Sequence, residues 1–221
     1  MHRTVFRIVA LTASLSIIAI ALQARGKKPP NQKQRSFAYY MLVLSYAPDF
    51  CAQPAGDKDP RECGDGRHIG FVVHGLWPQG ETTRGPENCG SASPIPQNTI
   101  QAMLDYFPTE SLIQHEWKTH GTCSGLSAGD YFTAVKKARD SVTIPDELTP
   151  TSRQLMTPGD IEAKVAAANP GFPNTAFRTS CYPDKELQEI RICLNKDLSP
   201  RACGSSAGRC LATQVSLLAV H

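Results

Sequence analysis

Residues 68–78 read HIGFVVHGLWP, and residues 115–123 read HEWKTHGTC. The first stretch is apolar and β-branched from His68 to Leu76, which predicts a strand ending at Trp77-Pro78 with His74 close to its end. The second packs two histidines, a glutamate, a tryptophan and a cysteine into one short segment. Three of the chain's six histidines, His74, His115 and His120, therefore lie in two clusters that each hold a tryptophan. His68, at the start of the first stretch, is read as structural.

Outward from these segments the pattern is that of one α+β domain, with a central antiparallel sheet flanked by helices and stapled by disulfides. Phe37 to Tyr46 (FAYYMLVLSY) is aromatic and branched enough for a buried strand. A Pro-, Gly- and Asp-rich loop holding Cys51 and Cys63 follows it. The Gly- and Pro-rich stretch 79–96 predicts a long loop. Short helices are expected over Asn98 to Phe107 and Leu112 to His120. A longer one is expected over Ala128 to Ser141, where Tyr131, Phe132, Val135 and Ala138 recur at helical spacing. Thr157-Pro158-Gly159-Asp160 opens a further helix with a capping hydroxyl, a proline at the first position and an acid at the third. It should run to about Ala168. Glu186 to Leu194 and Gln214 to Val220 read as strands.

The 221 residues suit one domain with a sizeable core, and a hydrophobic content of 41% excludes wholesale disorder. Lys and Arg exceed Asp and Glu by three, too slight a bias for a protein held to nucleic acid by bulk charge. Arg3 and Arg7 precede an uncharged run from Ile8 to Ala21, and Leu22-Gln23-Ala24 is a plausible cleavage site. Residues 1–24 are thus expected to be a secretory signal, and residues 25–35 a basic polar arm. Residues 36–221 form the domain proper, which is net acidic once those two segments are set aside. Eight cysteines without a C-x-x-C pair favour disulfides over zinc and fit export to an oxidising compartment, secreted or periplasmic.

On a helix Glu116 and His120 share a face, whereas His115 and His120, five residues apart, diverge by about 140°. A carboxylate beside an imidazole orients the ring and supports its charged form. The spacing argues against a zinc metalloprotease, whose histidines stand four apart. A plain structural His–Glu pair and a hydrolase with a serine or cysteine nucleophile remain open readings of the residues alone.

Taken together, HGLWP and HEWKTHGTC resemble the two active-site segments of the ribonuclease T2 family, and LVLSYAPDFC (Leu42 to Cys51) resembles that family's first core strand and its cysteine. The likeness extends from Phe37 to Cys210. It implies an endoribonuclease that cleaves single-stranded RNA with little base preference and leaves 2′,3′-cyclic phosphate ends. His120 would be the base, His74 the acid, His115 a phosphate ligand and Glu116 a group that helps stabilise the transition state. No metal or other cofactor is implied. DNA, lacking the 2′-OH, should not be cut, and the protein is expected to act as a monomer free of the membrane once the signal is removed. Trp77 is either a base-stacking platform or a core residue, while Trp117 reads as core. The resemblance implies disulfides Cys89–Cys123, Cys181–Cys210 and Cys193–Cys203, and Cys51–Cys63 is the remaining pair. No N-x-[ST] sequon occurs, which fits a bacterial member. One departure stands out: the family pattern has lysine directly before the second histidine, but here Thr119 takes that place and Lys118 precedes it. The offset swings the ammonium by about 100°, so Lys118 is a phosphate-binding candidate only through the length of its side chain. A T2-like protein with impaired catalysis, acting by binding RNA or as a toxin, is the alternative.

Overall fold

A four-stranded antiparallel sheet organises the chain. The computed structural model describes residues 36–54, 60–64 and 66–220, which fall in one compact unit. The expected signal and arm lie outside the described residues. In chain order the elements are β1 (Tyr39–Tyr46), α1 (Ala47–Ala52), α2 (Pro60–Cys63), β2 (Phe71–Gln79), α3 (Gln97–Met103), α4 (Glu110–Thr119), α5 (Ala128–Asp140), β3 (Gln154–Met156), α6 (Pro158–Ala168), β4 (Phe177–Cys181), β5 (Leu187–Leu194) and β6 (Val215–Leu217). The sheet order is β2-β1-β5-β4, and β3 pairs with β6 in a separate ribbon.

The main core fills one side of the sheet. Leu42, Leu44 and Tyr46 of β1 meet Ile113 and Trp117 of α4, Tyr131, Phe132 and Val135 of α5, and Ile161 and Val165 of α6. Alternation along β1 sends Tyr39, Met41 and Val43 to the opposite side, where they form a small cluster with Cys193 and Ala207, against which Trp77 packs. All four disulfides pair as expected: Cys51–Cys63, Cys89–Cys123, Cys181–Cys210 and Cys193–Cys203. Among the described residues no helix is long and apolar enough to cross a membrane.

Several boundaries differ from the sequence reading for physical reasons. β2 begins later and runs through Trp77-Pro78 to Gln79. Proline is tolerated there because β2 is an edge strand and needs no outward ladder donor. α3 stops at Met103 rather than Phe107, because the next turn is used elsewhere: the Tyr106 carbonyl accepts from Val73 N at 3.0 Å on the edge of β2. β6 is three residues long, since Leu218 is captured by buried side chains. Its N–H donates to Asp49 Oδ1 at 2.9 Å and its carbonyl accepts from the Tyr46 hydroxyl at 2.6 Å. The helix at Thr157 is as expected, with the threonine hydroxyl accepting from Asp160 N. β4 was not anticipated; FRTSC is short and mixed, and becomes a strand by pairing along β5.

Candidate active site

His74 is the extra residue of a β-bulge. Val43 of β1 pairs with Gly75 and Leu44 with Val73, so nothing on β1 stands opposite His74. A bulge re-aims the side chain it carries. Here it turns the imidazole toward β5, where Nδ1 meets Glu189 Oε1 at 3.0 Å. Glu189 is nearly fully buried, and its other oxygen accepts from Arg191 at 2.9 Å (Nε) and 2.8 Å (the terminal nitrogen). His74, Glu189 and Arg191 thus form a relay across two strands.

Helix α4 brings the remaining groups. Its N-terminus is fixed by the Thr109 hydroxyl, which accepts from Leu112 N at 3.1 Å. Trp117 anchors it in the core, with its indole N–H on the Ser93 carbonyl at 2.8 Å. One residue before that anchor, Glu116 is fully buried and points at β2. The Trp77 indole N–H donates to Glu116 Oε2 at 2.8 Å, while Oε1 lies 3.8 Å from His74 Nε2. Among the described residues Glu116 Oε1 has no hydrogen-bond partner, and it is held toward the reacting groups. His120 caps the helix, and its ring stacks on Trp77 at 4.9 Å with an interplanar angle of 24°. Trp77 also meets His74 edge-on at 5.1 Å, so one indole spaces the two imidazoles and holds the carboxylate.

This arrangement corrects one expectation. Glu116 and His120 share a helix face, yet the Glu116 carboxylate is hydrogen-bonded to Trp77 and faces His74 rather than orienting His120. His120 sits where the helix tightens into a 3-10 turn at Gly121–Cys123 and is turned onto the indole instead. His115 is exposed on α4 just ahead of Glu116. Lys118 is exposed as well, about 200° round the helix from both Glu116 and His120. Trp117 is core as expected, whereas Trp77 is half-buried and structural to the site.

The two rings are biased in opposite directions. Burial pushes His120 down, and the cationic charges of His74, His115 and Arg84 push it further, to about 3. It is therefore neutral across the ordinary pH range. For His74 burial also disfavours the charge, but the hydrogen bond and charge of Glu189, with the charge of Glu116, outweigh it and raise the ring's pKa. Glu116 itself is pushed up to about 7, chiefly by burial, against the pull of His74 and the Trp77 N–H. One imidazole is held ready to accept a proton and the other ready to give one.

Gly75 is required by this geometry. A Cβ there would stand 1.9 Å from Glu116 Oε2 and 2.5 Å from Trp77 Nε1. Gly75→Ala must drive the carboxylate off the indole. A hydrogen bond to a charged group is worth about 1.5–3 kcal/mol, so kcat/KM is expected to fall roughly ten- to hundredfold at that energy. Steady-state kinetics, with indole fluorescence reporting the displaced Trp77, checks this; unchanged kinetics with shifted fluorescence would mean that the bond does not matter.

Glu189 and Arg191 were missed in the sequence. Their signal was available: opposite charges two residues apart on one side of a strand whose other side carries Ile190 and Ile192. A charged residue in a central strand needs a partner, and His74 is that partner. The motif G-x-S-x-G, also missed in the sequence, occurs twice, at 125–129 and 204–208, but neither serine sits on a strand-to-helix elbow. Ser127 caps α5 and is bonded to Asp130, and Ser206 is held between Tyr39 and the Gly80 carbonyl. Among the described residues no group of three His, Cys, Asp or Glu side chains is placed to hold a metal ion.

The antiparallel sheet with helices packed on its core face matches a known class of fold. A plant RNase-related protein from Calystegia sepium superposes with a TM-score of 0.66 at 20% identity, covering 85% of this chain and all of that one. RNase NT, solved in complex with 5′-AMP, superposes at 0.61 and 22% identity over 77% of this chain and 97% of its own. In sequence, the model of the Ribonuclease T2 family matches residues 37–203. A ribonuclease of Aeromonas hydrophila is 34% identical over 183 residues, 80% of this chain and 78% of that protein. A probable ribonuclease of Haemophilus influenzae is 31% identical over 76% of this chain, which spans 61% of that protein. The chain belongs to the ribonuclease T2 family and is an enzyme of that type.

Proposed function

We propose that the protein is an exported endoribonuclease that cleaves single-stranded RNA by transphosphorylation, with little base preference and without a metal. The observation that carries this reading is the opposed bias of the two imidazoles. RNA brings its own nucleophile. Neutral His120 takes the proton of the 2′-OH, and the 2′-oxygen bonds to phosphorus as the P–O5′ bond breaks. Charged His74 gives its proton to the departing 5′-oxygen. The products are a 2′,3′-cyclic phosphate and a free 5′-OH, with His120 left protonated and His74 neutral. Glu116, protonated below its raised value of about 7, donates toward the phosphorane as it gains charge, with His115 as a further donor, and preorganised groups of this kind stabilise such a state. Glu189 keeps the Nδ1 proton of His74 in place, so that Nε2 is the nitrogen that donates. The open part of the Trp77 indole offers a base a stacking face that tolerates any sequence. Four disulfides fit an oxidising compartment, consistent with secretion or a periplasmic location.

Digestion of RNA and of matched single-stranded DNA in excess EDTA, with end groups analysed by mass spectrometry, tests this. RNA fragments ending in cyclic phosphate, with DNA intact, are expected. Activity lost in EDTA and restored by zinc would overturn the mechanism. Binding of RNA without cleavage would favour the impaired, RNA-binding alternative.

A further inference from the structure

Thr119 leaves the site without an ammonium at the position where the family pattern puts one, and Lys118 points about 200° away from Glu116 and His120. The loop that leaves β2 brings a different cation. It folds back at once: Gly85 N donates to Gln79 Oε1 at 3.1 Å, and Gly85 lies so close to Pro78 that a Cβ would come within 1.8 Å of the Pro78 carbonyl. Three residues further on, Asn88 N donates to the Thr119 carbonyl at 2.7 Å. Cys89 N then donates to Thr122 Oγ1 at 3.2 Å, and Cys89 is bonded to Cys123. Residues 84–89 therefore bridge the strand end that carries Trp77 and the helix end that carries His120. Arg84 stands on this bridge. Its side chain is 85% exposed, and Glu87 holds the guanidinium at 3.0 Å.

We infer that Arg84 is the phosphate-binding cation of this site, contacting the substrate's phosphate where Thr119 cannot, with Glu87 holding it in readiness. This rests on the ribonuclease reading above. A guanidinium fork matches two phosphate oxygens. The exposed pair with Glu87 is worth little, so exchanging that carboxylate for a phosphate is easy. A bridge bonded at both ends holds the Arg84 backbone in place. The charge of Arg84 is already felt at His120, where it is among the cations that disfavour a second positive charge.

The test compares Arg84→Ala, Arg84→Lys and Lys118→Ala with the natural enzyme on a dinucleoside phosphate, with inorganic phosphate as competitive probe. Arg84→Ala is expected to lower kcat/KM about tenfold, which corresponds to roughly 1.4 kcal/mol, and to weaken phosphate inhibition. Arg84→Lys should recover part of both, and Lys118→Ala should change neither more than about twofold. Adding the swap Lys118→Thr, Thr119→Lys to Arg84→Ala should restore the rate by returning a cation to the family position. If Arg84→Ala is as active and as sensitive to phosphate as the natural enzyme, the inference is wrong. If Lys118→Ala carries the loss instead, Lys118 is the cation. A natural enzyme that does not cleave RNA at all would overturn the ribonuclease reading itself, an outcome distinct from both.

Discussion

Replacing His120 by alanine is expected to lower kcat by two to four orders of magnitude, the usual contribution of a positioned general base. The size matters, because His120 is also a structural neighbour. It is buried and stacked on Trp77, and such aromatic pairs contribute about 0.5–1.5 kcal/mol. A hundredfold to ten-thousandfold loss corresponds to roughly 2.7–5.5 kcal/mol, more than the packing can explain. The folded variant should therefore melt only slightly lower yet be nearly inactive, and added imidazole should restore part of the rate. A variant that keeps most of its turnover would remove His120 from the reaction.

The second large effect belongs to Glu189. Glu189→Ala would leave Arg191 in a mostly buried position with, among the described residues, the Ala207 carbonyl as its remaining hydrogen-bond partner, and His74 without its orienting carboxylate. Breaking a buried pair costs about 3–5 kcal/mol. The low end applies here because the Arg191 side chain is one-fifth exposed. That is a sizeable fraction of a typical fold's stability of roughly 5–15 kcal/mol, and thermal or denaturant unfolding would show it. Glu189→Gln is the sharper probe, since it keeps the shape and removes the charge. The raised pKa of His74 depends on that charge, so the variant's ring must lose its proton at lower pH. His74 acts while charged, and activity falls as pH rises through its pKa. The alkaline limb of the rate profile should therefore move to lower pH in Glu189→Gln, while the acid limb, set by His120, stays in place. An alkaline limb that does not move would mean that Glu189 only supports the fold.

The same shifts tie the fold to acid conditions. Glu116 and His74 both have raised pKa values in the folded protein, so folding favours their protonated forms. The stability from Glu116 is complete below its ordinary 4.5 and is lost as pH rises through about 7. The stability from His74 is complete below 6.5 and is lost as pH rises through its higher folded value.

Much of this site was legible in the sequence because its parts are local. HGLWP lies on one strand and HEWKTH on one helix and its cap, and the helical signal at Thr157 is a capping pattern that acts within one turn. What stayed hidden depends on pairing between distant segments. The bulge at His74 exists only relative to β1, and Glu189 becomes a site residue only when β5 lies beside β1 and across from β2. The true partner of Glu116 was likewise invisible. Helix periodicity puts it with His120, but the close approach allowed by Gly75 gives it to Trp77 and His74. Arg84 sits in a loop without periodicity, and the hydrogen bonds of Asn88 and Cys89, further along that loop, to Thr119 and Thr122 reveal where it stands.

The most direct test is an NMR titration of the imidazole side chains, assigned with His74→Asn and His120→Asn variants. His120 should stay neutral until the pH falls to about 3, while His74 should keep its proton above the ordinary value of 6.5. The reverse order, with His120 protonated at a higher pH than His74, would contradict the assignment of His120 as base and His74 as acid.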